Sequence, residues 1–157
     1  MGYLDYDRIL KKVTDSYATA ASADQMMSEI VHQLAQVPHY NWIGFYMISP
    51  DDANLLELGP YVGAETPHQR IPLNQGICGA AASSGHTIVV DDVNSDPRYL
   101  ACSLETKSEI VAPVIANGKV IGELDIDSHT AAAFSSADRV LVERCASLLG
   151  SYLEQHQ

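Results

Sequence analysis

Glu109-Ile110-Val111-Ala112-Pro113-Val114-Ile115 and Lys119-Val120-Ile121-Gly122-Glu123-Leu124-Asp125-Ile126 stand on either side of Asn117-Gly118. Both segments are rich in β-branched residues, which suit a pleated sheet surface. Asn-Gly accepts the positive φ angles of a tight hairpin turn. The stretch therefore predicts an antiparallel hairpin. Further back, Trp42-Ile43-Gly44-Phe45-Tyr46-Met47-Ile48 repeats the pattern, with Leu55-Leu56-Glu57-Leu58-Gly59-Pro60-Tyr61-Val62 as its partner across the turn residues Ser49-Pro50-Asp51-Asp52. Thr87-Ile88-Val89-Val90 predicts one strand more.

Helical periodicity brackets these strands. Ile9, Val13 and Tyr17 recur at helical spacing, and after Ser22-Ala23-Asp24 a second set runs Met26, Met27, Ile30, Val31, Leu34 up to Pro38. The last helix is predicted to open at Ser135, with Asp138 at capping-box spacing and an apolar stripe of Leu141, Cys145, Leu148 and Tyr152. Gly76 to Ser84 predicts a short helix ended by Gly85. Asp96-Pro97-Arg98-Tyr99-Leu100 predicts a helical turn, with Pro97 at its first position. The sum is an α+β domain: a central antiparallel β-sheet with helices at both chain ends. At 157 residues, one domain over 1–157 is expected, large enough to bury a core without disulfide staples.

A formal net charge of −11, with only nine Lys and Arg, excludes a basic face for nucleic acid or an anionic membrane. The first ten residues carry acid where a signal peptide needs base, and no apolar run reaches the length of a membrane span, so a cytoplasmic location is expected. Three cysteines there are an odd count for a disulfide framework. Cys145 sits among apolar neighbours at helical spacing and reads as core. Cys78, in Gly76-Ile77-Cys78-Gly79, reads either as core or as a thiol activated by a helix N-terminus. The six His residues are scattered, with no His-x-x-x-His or Cys-x-x-Cys spacing, so no metal or cofactor site is expected. Gly76 and Gly79 lack the Lys of a phosphate loop.

Asp125 and Asp127 are two apart on a predicted strand and so leave the same face. Asp is unfavourable inside strands, which leaves two readings: a strand end entering a turn, or a cluster with a purpose. Trp42 and Tyr46, four apart on another strand, also share a face and read as core or as a ligand wall.

Asn41-Trp42-Ile43-Gly44-Phe45-Tyr46, Leu58-Gly59-Pro60-Tyr61, Arg70-Ile71-Pro72, Gly76-Ile77-Cys78-Gly79, Asp92-Val93, Ala101-Cys102, Ser108-Glu109-Ile110-Val111 and Leu124-Asp125-Ile126-Asp127-Ser128 follow in that order. Together they resemble the GAF-domain free methionine-(R)-sulfoxide reductases, over about 41–128. The resemblance implies a GAF fold with the terminal helices packed on one face of the sheet. It implies reduction of free L-methionine-(R)-sulfoxide, with Cys102 as nucleophile and Cys78 as resolving thiol. Trp42 and Tyr46 would form an apolar wall for the substrate, and Glu109, Asp125 and Asp127 an acidic cluster for its ammonium group. A thioredoxin-like dithiol would recycle the enzyme, and a homodimer is expected from terminal helices of this kind. The chain departs from the family in the loop before Arg70, where Ala64-Glu65-Thr66-Pro67-His68-Gln69 lacks the usual resolving cysteine. The alternative is a GAF sensor that binds an amino-acid-like ligand without turnover.

Overall fold

Asn117 and Gly118 have φ angles of 53° and 75°, so the hairpin closes as their residue types require. The computed structural model describes residues 3–100 and 104–156. The hairpin strands are β5 (Ser108–Ala116) and β6 (Lys119–Ser128). Strands β1 (Trp42–Ile48), β2 (Leu55–Val62), β3 (Arg70–Pro72) and β4 (Ile88–Val90) complete a six-stranded sheet in the order β3-β2-β1-β6-β5-β4, antiparallel throughout. β6 therefore lies in the middle, between β1 and β5.

The period of two splits the sheet into two interiors. Ile43, Phe45, Ile110, Ala112, Leu124 and Ile126 face a core shared with α1 (Tyr3–Thr19), α2 (Ala23–Leu34) and α4 (Ser136–Gln155). The terminal helices thus share one face, as expected. The opposite face carries Trp42, Tyr46 and Val111, and α3 (Gly76–Ser84) covers it with Ile77, Cys78, Ala81 and Ala82. Among the described residues no helix is long and apolar enough to cross a membrane.

The predicted boundaries are close, with two corrections. The α4 stripe continues through fully buried Leu149, while Leu148 is half-buried at its margin, because four residues beyond Cys145 return nearest to the same side. The predicted turn over 96–100 is not helical. The helical turn comes earlier, at Val93–Ser95, where the Asp92 side chain accepts from the Asn94 N–H. Asp96 instead uses its carboxylate on the backbone and guanidinium of Arg98, which holds a tight turn.

The Ser135–Asp138 capping box forms, and it does more than start α4. Asp138 Oδ1 also accepts from Tyr6 of α1 (2.5 Å) and from Tyr40 ahead of β1 (2.6 Å). Burial pushes its carboxyl up, but the hydrogen bonds from Tyr40, Tyr6 and Ser135 prevail and hold it below the ordinary range.

Candidate functional site

Three carboxylates face α3 from the middle of the sheet. Asp125 and Asp127 alternate with Leu124 and Ile126 along β6, and Glu109 of β5 pairs directly opposite Asp127. All three are at most 5% exposed. Asp125 pairs with Gly44 on one side and Val111 on the other, so both Asp residues lie within the ladder and not in a turn. The strand-end reading is thereby excluded for Asp125, whereas Asp127 is the last residue but one of β6. Acids placed opposite one another in a sheet interior cost stability.

The burial has a clear electrostatic consequence. Glu109 is held well above the ordinary carboxylate range by burial first and then by the charges of Asp125 and Asp127. Asp125 is also raised by burial, against hydrogen bonds with Glu109 and Cys78 that lower it. Glu109 therefore keeps its proton to higher pH than an ordinary carboxyl, beside an acceptor.

Cys78 reaches this cluster from the first turn of α3, its Sγ donating to Asp125 Oδ2 at 3.4 Å. Its position next to the helix N-terminus agrees with expectation, but the expected activation does not follow. Burial, then the charges of Asp125, Glu123 and Glu109, push the thiol well above its usual value. The carboxylates and the loss of solvent outweigh the helix end. The approach of α3 depends on Gly79, where an added Cβ would stand 2.7 Å from the Leu73 carbonyl oxygen.

Trp42 and Tyr46 form the apolar side, their ring centroids 6.1 Å apart, with Tyr61 stacked on Trp42 at 5.6 Å. Their polar ends hold the covering loop: Trp42 Nε1 donates to Ala64 O (3.0 Å) and Tyr46 OH to His68 O (2.6 Å). Thr66, His68, Ile71, Gly76 and Leu100 complete a cavity of about 30 Å³. Cys102, and with it the Cys78–Cys102 separation, lies outside the described residues. Cys145 is fully buried in the other core, away from this face.

Five lining residues (Thr66, His68, Ile71, Gly76 and Leu100) are not predicted as site residues from the sequence, for they lie in loops, a short edge strand and the start of α3, where no periodicity marks them. Glu123 is different. It is fully buried on β6, two residues before Asp125 and so on the same face. The period that pairs Asp125 with Asp127 also selects Glu123, and that signal was available. Neither of its oxygens has a hydrogen bond of good geometry among the described residues, and the neighbouring Cys78 thiol, which donates to Asp125, also interacts with it. Burial, against the Cys78 interaction that lowers it and with the Asp125 charge adding, pushes Glu123 well above the ordinary range.

The raised acids set a pH dependence. Between the ordinary carboxylate pKa of about 4 and their raised values, the folded state binds more protons than the unfolded chain, so stability falls as pH rises. Asp138 works in the opposite sense: its contribution is present above pH about 4 and is lost as pH falls through its lowered pKa. Stability is thus expected to peak in mild acid. Glu123→Gln should leave stability near pH 5 almost unchanged and raise it near pH 8. It should flatten the slope by up to about 1.4 kcal/mol per pH unit. Urea unfolding across that range measures it; an unchanged slope would contradict the assignment.

The GAF domain family matches residues 22–153. The free methionine-R-sulfoxide reductase of Saccharomyces cerevisiae is 44% identical over 110 residues, 69% of this chain and 61% of that protein, just under two thirds of its length. The free methionine-R-sulfoxide reductase of Escherichia coli is 31% identical over 134 residues, 85% of this chain and 75% of that protein. Among solved structures, the free methionine-R-sulfoxide reductase of Neisseria meningitidis in complex with its substrate is similar, with a TM-score of 0.89 and 32% identity, covering 95% of this chain and 88% of that one.

Proposed function

The chain belongs to the GAF-domain free methionine-R-sulfoxide reductase family, and from that premise we propose that it reduces free L-methionine-(R)-sulfoxide to methionine. The observation that carries the proposal is the buried carboxylate cluster beside an aromatic wall and a thiol. Burial of Glu109, Asp125 and Asp127 is unfavourable for the fold alone, and it suits a ligand that brings a positive ammonium group. The Trp42 and Tyr46 rings supply apolar surface for the methyl end of such a ligand.

In the proposed cycle, Cys102 attacks the sulfoxide sulfur. The S–O bond breaks, the oxygen leaves with Cys102 as a sulfenic acid, and methionine departs. Glu109 is placed by its retained proton to donate to the sulfoxide oxygen during attack. The Cys78 thiol then condenses with the sulfenic acid to form a disulfide and water. An external dithiol of the thioredoxin class returns both thiols and carries away the two oxidising equivalents. Asp125, already hydrogen-bonded to Cys78, is the base placed to take the Cys78 proton.

The test is single-turnover release of methionine from each sulfoxide epimer by the fully reduced protein without a recycling system. Stoichiometric release from the R epimer, with loss of two free thiols, is expected. Cys102→Ser should abolish release, and Cys78→Ser should permit one turnover with loss of one thiol. Binding of either epimer without release would replace the enzyme with the sensor, a reading favoured by the raised pKa of Cys78.

A further inference from the structure

No metal-binding spacing exists along the chain, yet the fold brings Cys78 of α3, Glu109 of β5 and Asp125 of β6 together with one donor atom from each within 4.8 Å of the others. We propose that these three side chains form a binding site for a single divalent ion of the zinc class, with Glu123 as a neighbouring carboxylate beneath it. The inference does not depend on the reductase activity.

Three observations support it. The donor set of one thiol and two carboxylates is that of a borderline-soft ion, since calcium and magnesium take oxygen ligands alone. Asp125 is 5% exposed and lines the cavity, and its Oδ1 has no hydrogen-bond partner among the described residues. The cavity of about 30 Å³ holds an ion or a water without displacement of its walls.

Binding converts the Cys78 thiol to a metal-bound thiolate and releases its proton, together with protons held on the carboxyls. The same carboxylates would otherwise meet an ammonium group, so an ion and an amino-acid ligand exclude one another. Occupation would also take Cys78 out of thiol chemistry.

The experiment titrates the reduced full chain with Zn²⁺ by calorimetry in buffers of different ionisation enthalpy, and with Co²⁺ by absorption. One equivalent is expected to bind with proton release, and Co²⁺ should show a thiolate-to-metal charge-transfer band. Cys78→Ser should abolish the band, while Cys145→Ser retains it. Asp125→Asn should weaken binding by at least the roughly 10–100-fold that outer-shell partners alone cost. Far-UV circular dichroism checks that each variant is folded. Protection of Cys78 from alkylation by one equivalent of Zn²⁺, mapped on peptides, tests the wild-type chain without any substitution. Binding without the band, a band that survives Cys78→Ser, or unprotected Cys78 would each overturn the proposal.

Discussion

Asp125→Asn is expected to lower kcat/KM for methionine-R-sulfoxide by roughly 10²–10⁴-fold, the range for loss of one partner in a buried, hydrogen-bonded charge pair or of one acid–base group. Asn has nearly the same shape, so β6 keeps its place between β1 and β5 and the effect isolates charge. Three functions proposed for Asp125 are lost together. Its charge no longer meets the substrate's ammonium, its Oδ2 no longer takes the Cys78 proton from 3.4 Å, and Glu109 loses a charge that helps it keep its own proton. The first loss raises KM, whereas the other two lower kcat. Steady-state kinetics with a thioredoxin-class recycling system separates them. A loss below about tenfold would mean that the cluster serves the fold and not the reaction.

Gly150→Ala should destabilise the protein by about 2–3 kcal/mol, which corresponds to roughly 4–12 °C in Tm for a chain of this size. Local preference points the other way, because alanine in a helix interior is favoured over glycine by about 0.5–1 kcal/mol. The contact reverses the sign. An added Cβ at 150 would stand 2.2 Å from the Ile115 carbonyl oxygen and 3.1 Å from its carbon, and both are backbone atoms that cannot rotate away. Relief would require α4 to lift from β5, beginning beside fully buried Leu149. Scanning calorimetry measures the outcome, and a rise in Tm would show that α4 docks less closely than this.

Two different kinds of information therefore decide these residues. Asp125 and Asp127 were legible in advance because a strand's period of two assigns faces without any knowledge of neighbours. The same rule reaches Glu123, which stands outside the family motif. Trp42 and Tyr46 were legible by the same period, and they do share the pocket. Thr66, His68 and Leu100 were not, since loop residues reach a site through the path of the chain and leave no periodic trace.

Cys78 divides the two levels most sharply. The glycines around it place it in the first turn of a short helix, and the helix forms there. A helix end taken alone lowers a thiol pKa, but the sheet beneath presents three acids and excludes water, so the thiol is raised. The local prediction was right about position and wrong about chemistry, because a helix end carries only a partial charge and the buried carboxylates carry whole ones.

Periodicity, capping residues and turn chemistry were enough to determine the helices at both ends, the Asn117-Gly118 hairpin and the faces of its strands. These are properties of neighbours in the chain, and the backbone enforces them wherever the segment lies. The tertiary structure alone decided which faces meet: that α3 covers the acidic side of the sheet, that Gly150 lies against Ile115, and that Cys78, Glu109 and Asp125 share one small cavity. Packing and desolvation act between residues far apart in sequence, and they raised the pKa values of Glu109, Glu123, Asp125 and the Cys78 thiol above those of the same groups in water.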